Sequence, residues 1–162
     1  MDNVRFSQSH GIVGLAAPLA DNYNAGLTME SFDMAGYNHC TIIMMGSATV
    51  AGTGLLTLNC GLTVSATTAA ITFHYRYGGN VASAASDTYG TPASSAALTL
   101  TEADMTSGLI ICEFDAQDLN VAGVQYRWVT PVLDAAGTAG IISCVAILSE
   151  PRYSGAVMPT AV

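Results

Sequence analysis

The sequence predicts an all-β protein: an antiparallel β-sandwich, jelly-roll-like, forming a single domain with extended N- and C-terminal arms. Three observations predict it. Apolar and polar residues alternate with a period of two in segment after segment from about residue 32 to residue 149. Clusters of Gly, Asn, Asp and Pro punctuate those segments. No stretch keeps the helical period long enough to supply the crossover that a parallel sheet needs.

The elements follow in order. The opening MDNVRFSQSHGIVGLAAPLADNYNAG keeps no period and carries turn residues at Gly11, Gly14, Pro18, Asn22, Asn24 and Gly26. It reads as an extended arm over residues 1–30, holding one short strand around Gly11–Ala17; such arms are ordered only when something ties them down. HCTIIMM (His39–Met45) is a strand. LLTLNCGLTV (Leu55–Val64) alternates, with Leu56, Leu58, Cys60, Leu62 and Val64 on one face. ITFHYRY (Ile71–Tyr77) sets Ile71, Phe73, Tyr75 and Tyr77 against Thr72, His74 and Arg76. VASAASDTYGTPASS (Val81–Ser95) is a long loop of small residues, and long loops are often functional. AALTLT (Ala96–Thr101) is a short strand. TEADMTSG carries a Thr-x-x-Asp capping pattern good for one helical turn. LIICEF (Leu109–Phe114) is a strand, DAQDLNVAG a turn. VQYRWVTPVL (Val124–Leu133) is a strand whose Pro131 places it at a sheet edge or ends it. GIISCVAIL (Gly140–Leu148) is apolar on both faces and therefore central or covered. The domain spans residues 31–149, followed by a tail over 150–162.

Composition bounds the function. The chain has 162 residues, enough for one domain with a core. Its 51% apolar content argues against disorder. Only 10% of residues are charged, against about a quarter in ordinary soluble domains. Either the surface is merely bland, or, the reading preferred here, neighbouring protein shields it. There is no lysine, and Arg5, Arg76, Arg127 and Arg152 are scattered in a chain of net charge −8. Nucleic-acid binding needs clustered cations, so no nucleic-acid partner is expected. No apolar run approaches the length of a membrane-spanning helix, so no membrane partner is expected either.

Four cysteines (Cys40, Cys60, Cys112, Cys144) allow three disulfide pairings. No basic segment leading into a signal-peptide core opens the chain, so buried free thiols in a reducing compartment are the expectation. The absence of CxxC removes the usual zinc signature. His10, His39 and His74 have no partner at metal-ligand spacing, and no GxSxG elbow is present. Asp115 and Asp118 lack the spacing of a calcium loop and read as a solvated turn. No catalytic residue, cofactor or metal site is expected, and no enzymatic activity. Arg76 and Arg127 sit on strands, with cross-strand partners such as Glu113 within reach. Trp128 with Tyr75, Tyr77 and Tyr126 forms either a sugar-stacking platform or, preferred here, core and intersubunit packing.

The C-terminal third carries a resemblance. Tyr-x-Trp-Val (Tyr126–Val129), a turn of small residues, a last apolar strand and SEPRY (Ser149–Tyr153) resemble tailed-bacteriophage head decoration, or cement, proteins, mainly over residues 107–153. GTGLLTLNC and TFHYRYGG fit more loosely. The resemblance implies a small all-β virion protein that binds the outside of the assembled capsid and bridges capsomers. Its partners would be the major capsid protein and further copies of itself, with a trimer implied by analogy. It would be made in the host cytoplasm and reside on the capsid exterior. The contact residues expected on this reading are Arg5, Phe6, Ile12, Val13, Tyr23, Arg76, Arg127, Trp128, Arg152 and Tyr153. Pro151 stops the last strand; Arg152 then either anchors a neighbour with Tyr153 or, with Glu150, solubilises a chain end. The competing classes are a host-glycan-binding fibre or spike module and a minor neck or tail protein or small major shell protein.

Overall fold

In a computed structural model, the structure describes residues 6–79, 88–134 and 137–152. Along them run a helical turn α1 (Phe6–Ser9) and the strands β1 (Gly11–Ala16), β2 (Leu27–Thr28), β3 (Phe32–Asp33), β4 (Tyr37–Gly46), β5 (Ala51–Gly52), β6 (Gly54–Gly61), β7 (Ala69–Ala70) and β8 (Phe73–Gly78). Then come β9 (Ala93–Ser95), β10 (Leu98–Leu100), the turn α2 (Glu102–Met105), β11 (Leu109–Asp115), a 3-10 turn (Ala116–Leu119), β12 (Asn120–Val121), β13 (Val124–Gln125), β14 (Trp128–Asp134), β15 (Gly137–Ala139) and β16 (Ile142–Pro151).

These strands make an all-β antiparallel sandwich, as the two-residue period predicts. The first sheet has the order β1-β16-β4-β11-β8-β9; the second has β10-β6-β14-β2, with β3 on β14 and β7 on β6. Alternation decides what each strand buries, because successive side chains point to opposite faces. The first sheet turns Cys40, Ile42 and Met44 of β4, Ile110, Cys112 and Phe114 of β11, and Cys144, Ala146 and Leu148 of β16 inward. Leu56, Leu58 and Cys60 of β6 and Val129 and Leu133 of β14 meet them from the second sheet. A buried polar pair on the other face of β14 is matched: the Ser31 and Thr130 hydroxyls lie 2.7 Å apart, and the Ser65 amide donates to Ser31. The capping pattern at Thr101 is realised. Thr101 Oγ1 accepts from the Asp104 amide while Asp104 accepts from the Thr101 amide.

Several expectations need correction. Residues 11–30 are not an arm. β1 pairs with β16, and Leu15, Tyr23 and Met29 are buried core residues. Leu62 and Val64 are exposed, because β6 ends at Gly61, where Ala66 packs so closely that a side chain would collide with it. Pro131 is not on an edge, since β14 lies between β6 and the short β2 and β3. In a strand a residue's N and O point to the same side. Pro131 O accepts from the Met29 amide at 2.9 Å, so its missing N–H faces the gap between Thr28 and Phe32, where no ladder bond is required. β16 is central, as its two apolar faces demand, but it runs on through Pro151, which pairs with Tyr37. The long loop expected over residues 81–95 lies partly outside the described residues; its last part, β9, pairs with β8.

Candidate interaction surface

The outward faces of the two sheets differ in chemistry. On the second sheet the outward residues include Thr28, Thr57, Asn59, Thr99, Asp33 and Asp134, with Leu55, Trp128 and Val132 set singly among them. On the first sheet Ile12, Ile43, Ile111, Val145 and Ile147 form a contiguous aliphatic patch, beside Thr41, Ser143, Ser149 and the ionisable His39, His74, Arg76, Glu113 and Asp115. The register lays them out in two rows. One runs Gly14–Val145–Ile43–Ile111–Arg76 across β1, β16, β4, β11 and β8. The other runs Ile12–Ile147–Thr41–Glu113–His74–Ser94, reaching β9. Each row is apolar at the β1–β16 side and ionisable at the β8 side. Ile12 is 54% exposed and Met45 41%, while Ile43, Ile111, Val145 and Ile147 are half-buried against one another.

At the ionisable end the strands form a shallow cleft of about 290 Å³ lined by His39, His74, Arg76, Glu113, Asp115 and Asp118, among others. The β4–β11 register sets His39 opposite Asp115, and His39 Nδ1 lies 2.7 Å from Asp115 Oδ1. His39 Nε2 is 3.4 Å from Thr41 Oγ1 and 3.8 Å from Glu113 Oε1. The Asp118 carboxylate accepts from the Asp115 amide, which fixes the strand end. His74 Nδ1 bonds Ser94 Oγ at 2.8 Å. Arg76 makes no hydrogen bond or ion pair among the described residues. It presents a free guanidinium able to take a carboxylate in two parallel bonds. No group of three or more His, Cys, Asp or Glu suited to a metal ion occurs among the described residues. The arrangement is an aliphatic patch beside a polar corner. The His39–Asp115 pair was missed in the sequence because it depends on a register between strands far apart in the chain.

The residues expected to make contacts distribute unevenly. Phe6 is exposed on α1 and stacks on His10 at 4.0 Å, and Ile12 is exposed on β1. Val13 faces inward and packs on the core. Tyr23 was expected at a contact but is wholly buried, and its hydroxyl donates to Leu100 O at 3.0 Å. Burial pushes its phenol above the ordinary value. Arg127 lies just before β14 and pairs with Asp33 rather than Glu113, through Nε at 3.0 Å and through Nη2. Its guanidinium stands 5.8 Å from the Trp128 ring centre, on the second sheet. Burial alone would raise the Asp33 carboxyl, but the bond from Arg127, the Ala35 amide and the guanidinium charge outweigh it and hold the group below its usual range. Arg152 ties back to its own chain, with its amide on Gly36 O and Nε on Tyr37 O. Arg5 and Tyr153 lie outside the described residues.

The aromatic platform does not assemble. Tyr75 and Tyr77 meet edge to face at 5.5 Å and pack with Tyr126 against the core, whereas Trp128 points outward from the other sheet. The four cysteines are free and buried. Burial lifts their thiols above the ordinary value, that of Cys144 to about 12.

No protein-family model matches the chain, and no curated protein matches it. Among solved structures, a chain from the structure of infectious bursal disease virus Gt strain aligns over 90% of this chain and 41% of its own length, with 10% identity and a TM-score of 0.20. This chain therefore spans less than half of that one, and so loose a superposition carries no inference about fold or function. No helix among the described residues is long and apolar enough to cross a membrane.

Proposed function

We propose that this protein is a non-enzymatic structural component of a phage virion, binding the outer surface of the assembled capsid and bridging capsomers. The observation that supports this reading is the contiguous aliphatic patch on the outward face of the first sheet, formed by Ile43, Ile111, Val145 and Ile147, with the His39–Arg76–Glu113 corner at its rim. Such a face gains by being covered, at about 25 cal/mol for each Å² of apolar surface removed from water. A chain with 10% charged residues has little else to keep that face apart from neighbours. The partners are the major capsid protein and further copies of this chain, on the capsid exterior.

The mechanism is thermodynamic linkage. A protein that binds only the assembled shell stabilises it by about 2.7 kcal/mol per site when the free protein is at one hundred times its dissociation constant. Many copies per shell multiply the effect. The test mixes purified protein with expanded and unexpanded empty shells. Saturable binding to the expanded shell alone supports the reading. Failure on both, together with retention on immobilised polysaccharide, replaces it with the fibre-module reading.

A further inference from the structure

Most edges of the two sheets are too short to recruit another strand. β9 and β10 have three residues each, and β2 and β3 two each. β1 is different: it has six residues, GIVGLA, with no charge and no proline. Natural edges are normally kept from pairing with other chains by brevity, charge, proline or a bulge. β1 has only the irregularity between Gly14 and Ala16. Beyond it the edge is occupied, because Leu15 O accepts from the Glu30 amide at 3.0 Å. Among the described residues the open stretch is Gly11–Gly14, and its outward side chain, Ile12, continues the aliphatic row of Ile147.

We propose that β1 pairs antiparallel with β1 of a second copy, across a two-fold axis perpendicular to the first sheet, so that two sheets become one. The register follows from geometry. Residues opposite each other in paired strands share a face. An axis falling between two residues would set the outward Ile12 opposite the inward Val13, so the axis must pass through a residue. An axis through Val13 sets Gly11 opposite Leu15, whose carbonyl is already engaged. An axis through Ile12 sets Gly11 opposite Val13 and Ile12 opposite Ile12 of the second copy. The aliphatic rows then run unbroken across both molecules. The contact is isologous and uses up the edge in each copy, so it closes at two and does not propagate. The net charge of −8 does not oppose it locally, since Gly11–Ala17 carry no charge. This pairing is argued from the sheet alone and yields a two-fold pair where the resemblance implies a trimer.

The test needs no shell, so its failure leaves the capsid reading standing, and the converse holds too. Sedimentation equilibrium should give a dimer for the unaltered chain. Ile12→Lys, which sets two like charges face to face, should raise the dimer dissociation constant at least about tenfold with an unchanged far-ultraviolet dichroism spectrum. The native thiols are buried, so Ile12→Cys introduces an accessible one; mild oxidation should join two copies through it. The same substitution at the exposed Thr28 of the second sheet should not. A monomer in which every amide from 11 to 14 resists hydrogen exchange overturns the proposal, since β16 protects only alternate ones and the chain then covers its own edge. A dimer indifferent to Ile12→Lys and not cross-linked through Ile12→Cys also overturns it.

Discussion

Tyr23 shows how much one side chain can decide. It sits among the turn residues DNYNAG, where nothing in the sequence marks it as core. Yet it is wholly buried, its ring lies against Gly54 and its Cβ against Gly140, and its hydroxyl satisfies Leu100 O. Tyr23→Phe should cost about 1–2 kcal/mol by leaving that carbonyl unpaired, and Tyr23→Ala about 3–5 kcal/mol by opening a cavity; urea denaturation measures both. Asp33 gives a pH signature. Its folded-state carboxyl is held below the ordinary value, so its contribution is fully present above the unfolded value and lost as the pH falls through the lower, folded one. The stability advantage of the unaltered chain over Asp33→Asn should therefore shrink as the pH drops below about 4, as thermal unfolding at a series of pH values would read out. The partner was legible only in kind. A strand arginine asks for a carboxylate, but the choice of Asp33 over Glu113 depends on β3 folding back onto β14.

At the scale of elements, period and punctuation were strong guides. β4, β11 and β16 and the single turn of α2 stand where alternation and capping place them, because those signals are local. The failures are places where a distant contact overrides local pattern. The alternation through Leu62 and Val64 continues past the point where Ala66 closes over Gly61. Pro131 is admitted to an interior strand only because the neighbouring edge is broken into two pieces. The short strand expected at Gly11–Ala17 stands as β1, but the segment around it reads as an arm because a strand with two glycines has little period to show. Gly46 exposes another such contact. A Cβ there would lie 1.8 Å from Met105 O, at the end of α2. Gly46→Ala should destabilise by about 1–3 kcal/mol, the usual range for overpacking, because backbone must shift to make room; calorimetry should show the loss while the sheet content stays the same.

For the whole molecule, the informative property is the inequality of its two outward surfaces. Composition announced a charge-poor exterior but could not say which side is apolar, since that depends on the order β1-β16-β4-β11-β8-β9 and its register. The surface residues most exposed to the capsid reading, Ile43, Ile111 and Ile147, were each legible as strand residues and none as an outward one. The proposal has a direct consequence for them. Ile147→Lys, in the middle of the aliphatic rows, should abolish saturable binding to expanded shells while thermal unfolding stays cooperative. Thr57→Lys, on the polar sheet, should leave binding unchanged within about twofold, as expected of a surface substitution away from the contact.

The position of β16 has a consequence for synthesis. It separates β1 from β4 and hydrogen-bonds to both, although they precede it by most of the chain. A nascent polypeptide that has not yet released residues 142–151 from the ribosome therefore holds its earliest strand without a neighbour and its longest early strand with one side bare. Closure of the sheet waits for the insertion of β16, and contacts between strands so far apart in the chain are of the kind that slows folding.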